Sequence, residues 1–479
     1  MRQARTELAW LRFPDDAWIT PRTHPTGLHV HDVVIVGGGQ GGIAIAAALR
    51  RDSVTNIKIF DRRGKGEEGP WGNIARMHTL RTQKHLPGIE LGIPSLTPRA
   101  WFTARYGAEA WDKLGKIPKG DWQAYLLWYR EVLGLEVCNS VEVTNIAWEG
   151  DVFRISLSRH DEIGSKPNVD DVLARHVVLA TGVEGSGGWH TPEFISSALP
   201  ASRYANSGTH IDFSELRGKR IAVLGAGASA FDNASTALEA GAAEATVCLR
   251  RVEVQRINPQ PWMGKAGFLR HFSEMDDHWK WRFMRHMYSY NIPAPQDAYD
   301  RLSRLPGARV LQNAGWRKVS MVPAPTGEEI EIQTSGGAVL RADFLIAAVG
   351  FKNDFRLRPE LAGFAKDIAT WKDKYTPAPG DEDPTLSSYP YLGPTFELTE
   401  KTPGGAPFLS RIRNFTYGAT VSMGLSGAAL SGLKYSVNLL ANGITRSLFL
   451  EEVPHLYESF STFAVPEMTG PIPFDNRTV

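Results

Sequence analysis

The chain is short of cysteine, of net charge and of long apolar runs, and each shortage removes a class of protein. Only Cys138 and Cys248 occur in 479 residues. Two thiols cannot supply a disulfide framework or a cysteine-rich zinc site, their separation excludes a CxxC redox pair, and they suit a reducing, cytosolic compartment. Lys and Arg number 53 against 52 Asp and Glu, a formal charge of +1, so no nucleic acid or anionic membrane surface is expected as a partner. The opening "MRQARTELAWLRFPDDAWITP" has no apolar run ending in small residues, so no secretory leader is expected there. The late apolar segment "GLSGAALSGLKYSVNLLANG" carries Lys434, Asn438 and several serines and reads as a buried helix, with no membrane span. There is no G-x-S-x-G elbow, HExxH or Gly-Lys-Ser/Thr phosphate loop. With 42% hydrophobic and 22% charged residues, the chain is long enough for more than one globular domain.

Two glycine turns stand out. In "VVIVGGGQGGIAIAAALRR" a buried-strand run, Val33–Val36, leads into Gly37, Gly39 and Gly42, spaced G-x-G-x-x-G, and then a helix. The first glycine makes the tight turn, the second admits a pyrophosphate, and the third lets the helix pack closely on the strand. The strand "IKIF" follows, ending at Asp61, 19 residues past Gly42, where an acid accepts a ribose hydroxyl and selects NAD or FAD over NADP. In "KRIAVLGAGASAFDNASTALEAG" the pattern recurs as Gly225, Gly227 and Ala230, and the strand "EATVCL" ends at Arg250 and Arg251. The registers agree: Gly37 to Asp61 is 24 residues and Gly225 to Arg250 is 25. Arginines at that place bind the 2′-phosphate that an acid repels, so the second turn expects NADPH. A resident flavin and a nicotinamide that reduces it account for both.

Two further strands, "HVVLATG" and "ADFLIAAVGF", each end in small residues and return the chain beside its nucleotide. Between the first glycine unit and the first of these strands, alternating residues around Glu149-Gly150-Asp151 signal a hairpin. The fold class expected is α/β, with two Rossmann-like dinucleotide-binding domains and the NADP domain inserted into the FAD domain. The divisions expected are 1–203 and 345–479 for FAD and 204–344 for NADP.

These features resemble the class B flavoprotein monooxygenases, which include flavin-containing, Baeyer–Villiger and N-hydroxylating enzymes. The likeness runs over roughly residues 30 to 445: two Rossmann turns, the "LATG" and "AAVGF" strands, and a histidine ahead of the second turn. That class carries Phe-x-Gly-x3-His-x3-aromatic. Here Tyr204 and Asn206 stand for its Phe and Gly, His210 for its His, and Ser214 for its aromatic, with Phe213 one place early. The match is partial and leaves the subfamily open. "GPWGNIARMHTLRTQ" resembles the family's flavin-contacting stretch, with Trp71, Thr82 and, at the position of an Asn that touches flavin edge and nicotinamide, Gln83. The Baeyer–Villiger version has an aromatic-Pro-Gly then Asp, and this chain has Leu86-Pro87-Gly88 then Ile89.

The resemblance implies FAD and NADPH as cofactors and O2 plus a small molecule as substrates. It places Gln83 and His210 in catalysis. Arg62, beside Asp61, Thr181 and Gly182 after the first return strand, and Gly350 after the second join the cofactor contacts. It implies a C4a-(hydro)peroxyflavin that oxygenates a nucleophilic nitrogen, or sulfur. Baeyer–Villiger oxidation of a ketone and NADPH oxidation without oxygen transfer are the alternatives. Two segments have no nucleotide role: aromatic, basic Phe268–Pro295 and Pro-rich Trp371–Gly405. They are expected to cover the flavin or to form a homodimer contact, and Arg256, Lys265 and Arg270 are candidates for a substrate carboxylate. Trp122–Tyr129 reads as a core helix.

Overall fold

A computed structural model describes the protein except for residues 86–87, 160–167, 291, 326, 427–428 and 471–479. Two parallel arrangements organise it. In the first, the strand His29–Val36 runs parallel to Ile57–Phe60 on one side and to Asn168–Leu179 on the other. Val33, Val34 and Ile35 have no solvent exposure, as expected of a parallel strand covered on both faces. The expected hairpin forms: Val141–Trp148 and Phe153–Arg159 pair antiparallel around Gly150, which takes φ +98°. Phe153–Arg159 then pairs with Asn168–Leu179. A strand from far along the chain, Ile412–Asn414, adds parallel to the other edge of Asn168–Leu179.

The second sheet is parallel throughout, in the order Ala308–Leu311, Glu244–Cys248, Arg220–Leu224, Phe344–Ala347 and Tyr204–Asn206. All five strands lie between two strands of the first sheet in sequence, so the second unit is inserted into the first. An antiparallel three-stranded sheet, Trp316–Ala324, Gly327–Thr334 and Val339–Ala342, packs its Val319, Ile330 and Ile332 against Ala222, Leu224 and Leu345. The outward passage Gly187–Trp189 and the return Phe351–Asn353 pair antiparallel with each other.

The two segments without a nucleotide role pack together as a third, aromatic cluster. Trp281 and Trp371 are fully buried with ring centroids 5.8 Å apart. Trp281 Nε1 donates to the Asp381 carbonyl at 2.8 Å, and Arg285 pairs with the Asp381 carboxylate at 2.8 Å. The Pro-rich stretch is therefore an ordered partner, not an open loop. Its prolines and acids start short helices: Thr370 and Asp373 form a capping box, and Asp383 caps Pro384–Ser387.

The last helix, Leu433–Ser461, buries Leu433, Val437, Leu440, Ala441, Ile444 and Leu448. Among the described residues no helix is long and apolar enough to cross a membrane. A buried charge cluster pins this helix to the first sheet. Arg175 is fully buried and pairs with Asp32 at 3.2 Å, Glu451 at 2.7 Å and Glu452 at 3.0 Å. Next to it His176 is also fully buried. Burial, then the charges of Arg413, Arg411 and Arg175, hold the His176 imidazole neutral, well below its ordinary 6.5.

The unfolded chain therefore takes up a proton at His176 below pH 6.5 that the folded chain refuses. Stability contributed by this residue is present above that pH and is lost on acidification, with a slope approaching about 1.4 kcal/mol per pH unit. Urea unfolding from pH 7.5 to 5 reads the slope, and His176→Asn is expected to flatten it. Equal slopes in the two proteins would refute the assignment.

Candidate functional site

The first glycine turn joins His29–Val36 to the helix Gln40–Arg51. Gly37 has φ +108°, and a Cβ on it would overlap the Ala180 carbonyl at the end of the return strand. A Cβ on Gly42 would overlap the Gly37 carbonyl, and Gly39 faces the backbone of Gly69. The helix has no side-chain cap and no acid in its first turn, so its N–H groups are available to an anion. Asp61 lies beside this turn: its carboxylate accepts from Gly38 N at 2.8 Å and from Arg63 N at 2.9 Å. Burial raises its pKa. Arg62 is half-exposed, 3.9 Å from both Glu142 and Glu184.

A cleft beside the turn is lined by Gly38, Gly39, Ile43, Glu68, Gln123 and Arg130. Glu68 is 4% exposed and accepts from Arg130 at 2.6 Å and Asn139 at 2.7 Å. Sequence reasoning missed Glu68 and Arg130. They are 62 residues apart, and no local pattern pairs them.

The second turn joins Arg220–Leu224 to Ala228–Glu239, again without a side-chain cap or a first-turn acid. A Cβ on Gly225 would sit 2.5 Å from the Ala348 carbonyl. Gly227 is open except for the Ile292 carbonyl at 3.8 Å, and Ala230 is fully buried. Arg250 and Arg251 follow the strand Glu244–Cys248 and are exposed, Arg251 donating to the Ser289 carbonyl at 3.1 Å.

Between the turns lies the stretch 71–85. Trp71 is 7% exposed and its Nε1 has no partner. Thr82 is half-buried and Gln83 exposed. Lys84 fixes this bend: its buried ammonium donates to the carbonyls of Trp111 and Leu114 at 2.5 Å and of Asp112 at 3.3 Å. Those carbonyls end the helix Ala108–Lys113, where a cation is favoured. Arg81 reaches across to Asp232 of the second helix at 2.8 Å. Arg301 donates to the Arg76 carbonyl at 2.8 Å and to Glu239 at 2.5 Å. Its hydrogen bond, and then its charge, hold the Glu239 carboxyl below the usual range.

Thr181 carries a buried hydroxyl without a partner, Gly182 takes φ +91°, and Gly350 takes φ +86° where its carbonyl accepts from His190 N at 3.2 Å. Asn206, at the fingerprint's glycine place, is buried, donates to the His190 carbonyl at 2.7 Å and accepts from Gly208 N at 2.9 Å. His210 is exposed. Arg256, Lys265 and Arg270 are exposed too, with Lys265 4.2 Å above the Trp262 ring. Trp122, Tyr125 and Tyr129 are core, as their helical spacing indicated. Leu86 and Pro87 lie outside the described residues. Gly88 presses on the start of the last helix, where a Cβ would lie 2.5 Å from Lys434 N.

Comparison with known proteins gives three results. The pyridine nucleotide-disulphide oxidoreductase family matches residues 31–264. The FAD-dependent urate hydroxylase of Xanthomonas campestris pv. campestris is 41% identical over 479 residues, covering 99% of this chain and 97% of the relative. Among solved structures, the ornithine hydroxylase of Pseudomonas aeruginosa superposes with TM-score 0.67 at 17% identity, covering 88% of this chain and 100% of that one. The ornithine N-hydroxylase of Kutzneria sp. 744, solved with reduced FAD, NADP+ and L-ornithine, gives TM-score 0.64 at 17% identity, over 87% of this chain and 99% of that one. At such identities these structures establish a shared fold.

The role of Lys84 can be checked without any ligand. Lys84→Met removes a donor from three helix-end carbonyls, of which Trp111 keeps the Leu114 N–H, and is expected to destabilise the protein by about 1–3 kcal/mol. Amide exchange at residues 80–85 should quicken at the same time. Denaturant unfolding with hydrogen-exchange mass spectrometry reads both, and unchanged exchange there would refute the anchoring.

Proposed function

The chain belongs to the FAD-dependent oxidoreductase family that contains the Xanthomonas urate hydroxylase, and from that premise we propose an FAD- and NADPH-dependent monooxygenase that hydroxylates a planar, nitrogen-rich heterocycle of the urate type. The observation that carries this reading is the pair of uncapped helix N-termini behind glycine turns, one beside Asp61 and the other beside Arg250 and Arg251.

The residues fit a flavin dinucleotide at the first turn. Gly37 and Gly42 make the tight backbone turn that no Cβ would allow, leaving the helix N–H groups uncapped, and the Trp71 Nε1 and Thr181 Oγ1 atoms are buried without partners. When bound, the flavin supplies the two-electron reduction of dioxygen at a site where oxygen can be passed to a substrate. In the overall reaction one oxygen atom enters a substrate X–H bond and the other leaves as water. NADPH gives a hydride and solvent gives a proton. Gly37, Gly39 and the helix N-terminus hold the pyrophosphate, and Asp61 accepts a ribose hydroxyl, with Arg62 at the rim. Gly225, Gly227 and Ala230 hold the nicotinamide dinucleotide, while Arg250 and Arg251 take its 2′-phosphate. Gln83 offers a side-chain amide to the flavin edge and the nicotinamide. Gly182 and Gly350 let the two return strands turn beside the rings. His210 belongs to the passage into the second unit and acts there through position. The aromatic cluster around Trp281 and Trp371 keeps water out, which monooxygenation requires.

The disulphide chemistry in the family's description has no counterpart here. Cys138 and Cys248 lie in different sheets, and burial pushes the Cys248 thiol up to about 11. N-hydroxylation of an amine is the second reading. It is favoured by the fold shared with the two ornithine hydroxylases.

Purified protein should be yellow and consume NADPH and O2 in equal amounts with urate, yielding a hydroxylated product. Colourless protein that FAD cannot reconstitute would refute the reading, and turnover of L-ornithine but not urate would select the second. Replacing both Arg250 and Arg251 by Ala should raise the KM for NADPH roughly 10- to 100-fold, the loss of charge-assisted hydrogen bonds. The KM for NADH should move little.

A further inference from the structure

Three phenols meet where the two sheets and the aromatic cluster join. Tyr389 donates to the Tyr288 hydroxyl at 3.1 Å, and Tyr288 donates to the Tyr417 hydroxyl at 3.2 Å. Each comes from a different part of the chain. Tyr288 lies on the helix Asp277–Ser289, Tyr389 follows Pro384–Ser387, and Tyr417 opens the turn after Ile412–Asn414. Tyr417 touches both passages between the sheets. Its backbone N–H donates to the Gly182 carbonyl at 3.4 Å, and its ring meets Phe351 edge-on at 5.4 Å. Parallel sheets bind ligands beyond the carboxyl ends of their strands. The triad stands beyond the first sheet's strand end at Leu179 and beside the return passage from the second.

The hydrogen-bond count is incomplete in one specific way. Three hydroxyls share two hydrogen bonds, so one O–H proton has no acceptor within the triad. Asn353, on the return passage, lies beside Tyr389, and its Oδ1 is buried without a partner. Gly418, next to Tyr417, is packed so that a Cβ would sit 3.3 Å from that oxygen. One spare donor, on Tyr417, and one spare acceptor, on Asn353, thus belong to the same aromatic junction. Burial raises all three phenols, so they remain neutral donors at working pH.

Resting on the monooxygenase reading above, we propose that Tyr417, Tyr288, Tyr389 and Asn353 form the substrate-reading wall and that it takes a cyclic amide or ureide edge. The spare hydroxyl donates to a ring carbonyl, and Asn353 Oδ1 accepts from the adjoining ring N–H. The edge of such a ring presents those two groups next to each other, and the aromatic walls suit its flat faces. An aliphatic ammonium has donors only and leaves the spare hydroxyl unmatched.

The test is equilibrium binding to FAD-loaded protein without NADPH, read by isothermal titration and by the shift in flavin absorbance. The probes are urate, hydantoin, 1,3,7,9-tetramethylurate and L-ornithine. Urate and hydantoin should bind, with tetramethylurate, which keeps the carbonyls but has no ring N–H, and ornithine at least tenfold weaker. Tyr417→Phe, Tyr288→Phe and Asn353→Leu should each raise the Kd for urate about tenfold or more. Tyr457→Phe, an exposed phenol far along the last helix, serves as the control and should match the wild type. Wild-type urate affinity in all three variants would overturn the proposal. So would a wild-type protein that NADPH reduces but that binds neither urate nor hydantoin, which leaves the monooxygenase reading standing. Failure to bind FAD or to be reduced by NADPH marks the other failure, that of the reading itself.

Discussion

The relation between the two nucleotide turns depends on one short antiparallel contact. The outward passage Gly187–Trp189 and the return Phe351–Asn353 hydrogen-bond to each other. A Cβ on Gly187 would overlap the Lys352 carbonyl, and one on Gly208 would overlap the Trp189 ring. The two crossings therefore approach as closely as backbones can, and glycine is required for that approach. With the crossings locked side by side, the strand ends of both sheets are brought toward one another. The ion pair of Arg81 with Asp232 and the hydrogen bond from Arg301 to the Arg76 carbonyl brace the same junction from another side.

The third element of the architecture fills the remaining side of this junction. Its Trp371 Nε1 donates to Ser422 Oγ at 3.0 Å, and that hydroxyl also meets Leu392 N at 3.1 Å and the Pro390 carbonyl at 3.1 Å. A polar knot inside an apolar cluster fixes one arrangement, because each of these buried groups is costly to leave unmatched. Tyr391 adds a bond to Asp277 at 2.8 Å. Residues about a hundred positions apart thus form one wall.

How much of this could be read from the chain alone follows from the range of the interactions. The glycine turns were legible because a tight turn, a close backbone approach and a helix start are dictated within six residues. Asp61 was legible because the strand–helix–strand unit has a fixed length. The inserted order of the sheets was legible from the two strands that end in small residues. The aromatic wall was not legible. The bond from Trp281 to Asp381 spans 100 residues, and its Pro-rich half looks locally like an open loop. Glu68 with Arg130 and Arg175 with Glu451 escaped for the same reason: charge pairs across a fold leave no spacing in the sequence. The fingerprint histidine shows a third case. Its neighbour Asn206 takes a structural part in the turn, while His210 faces solvent.

The pairing of Ile412–Asn414 with Asn168–Leu179 has a consequence for synthesis. Every strand of the inserted sheet lies between residues 204 and 347, so that unit can fold as soon as its own residues have left the ribosome. The host sheet cannot. Its strand Asn168–Leu179 waits with the end of one edge, Val177–Leu179, unpaired until Ile412–Asn414 emerges, and an unpaired parallel edge is a surface on which nascent chains associate wrongly. The interval between those two moments, rather than the strength of either core, is the step at which a chaperone would matter for this protein.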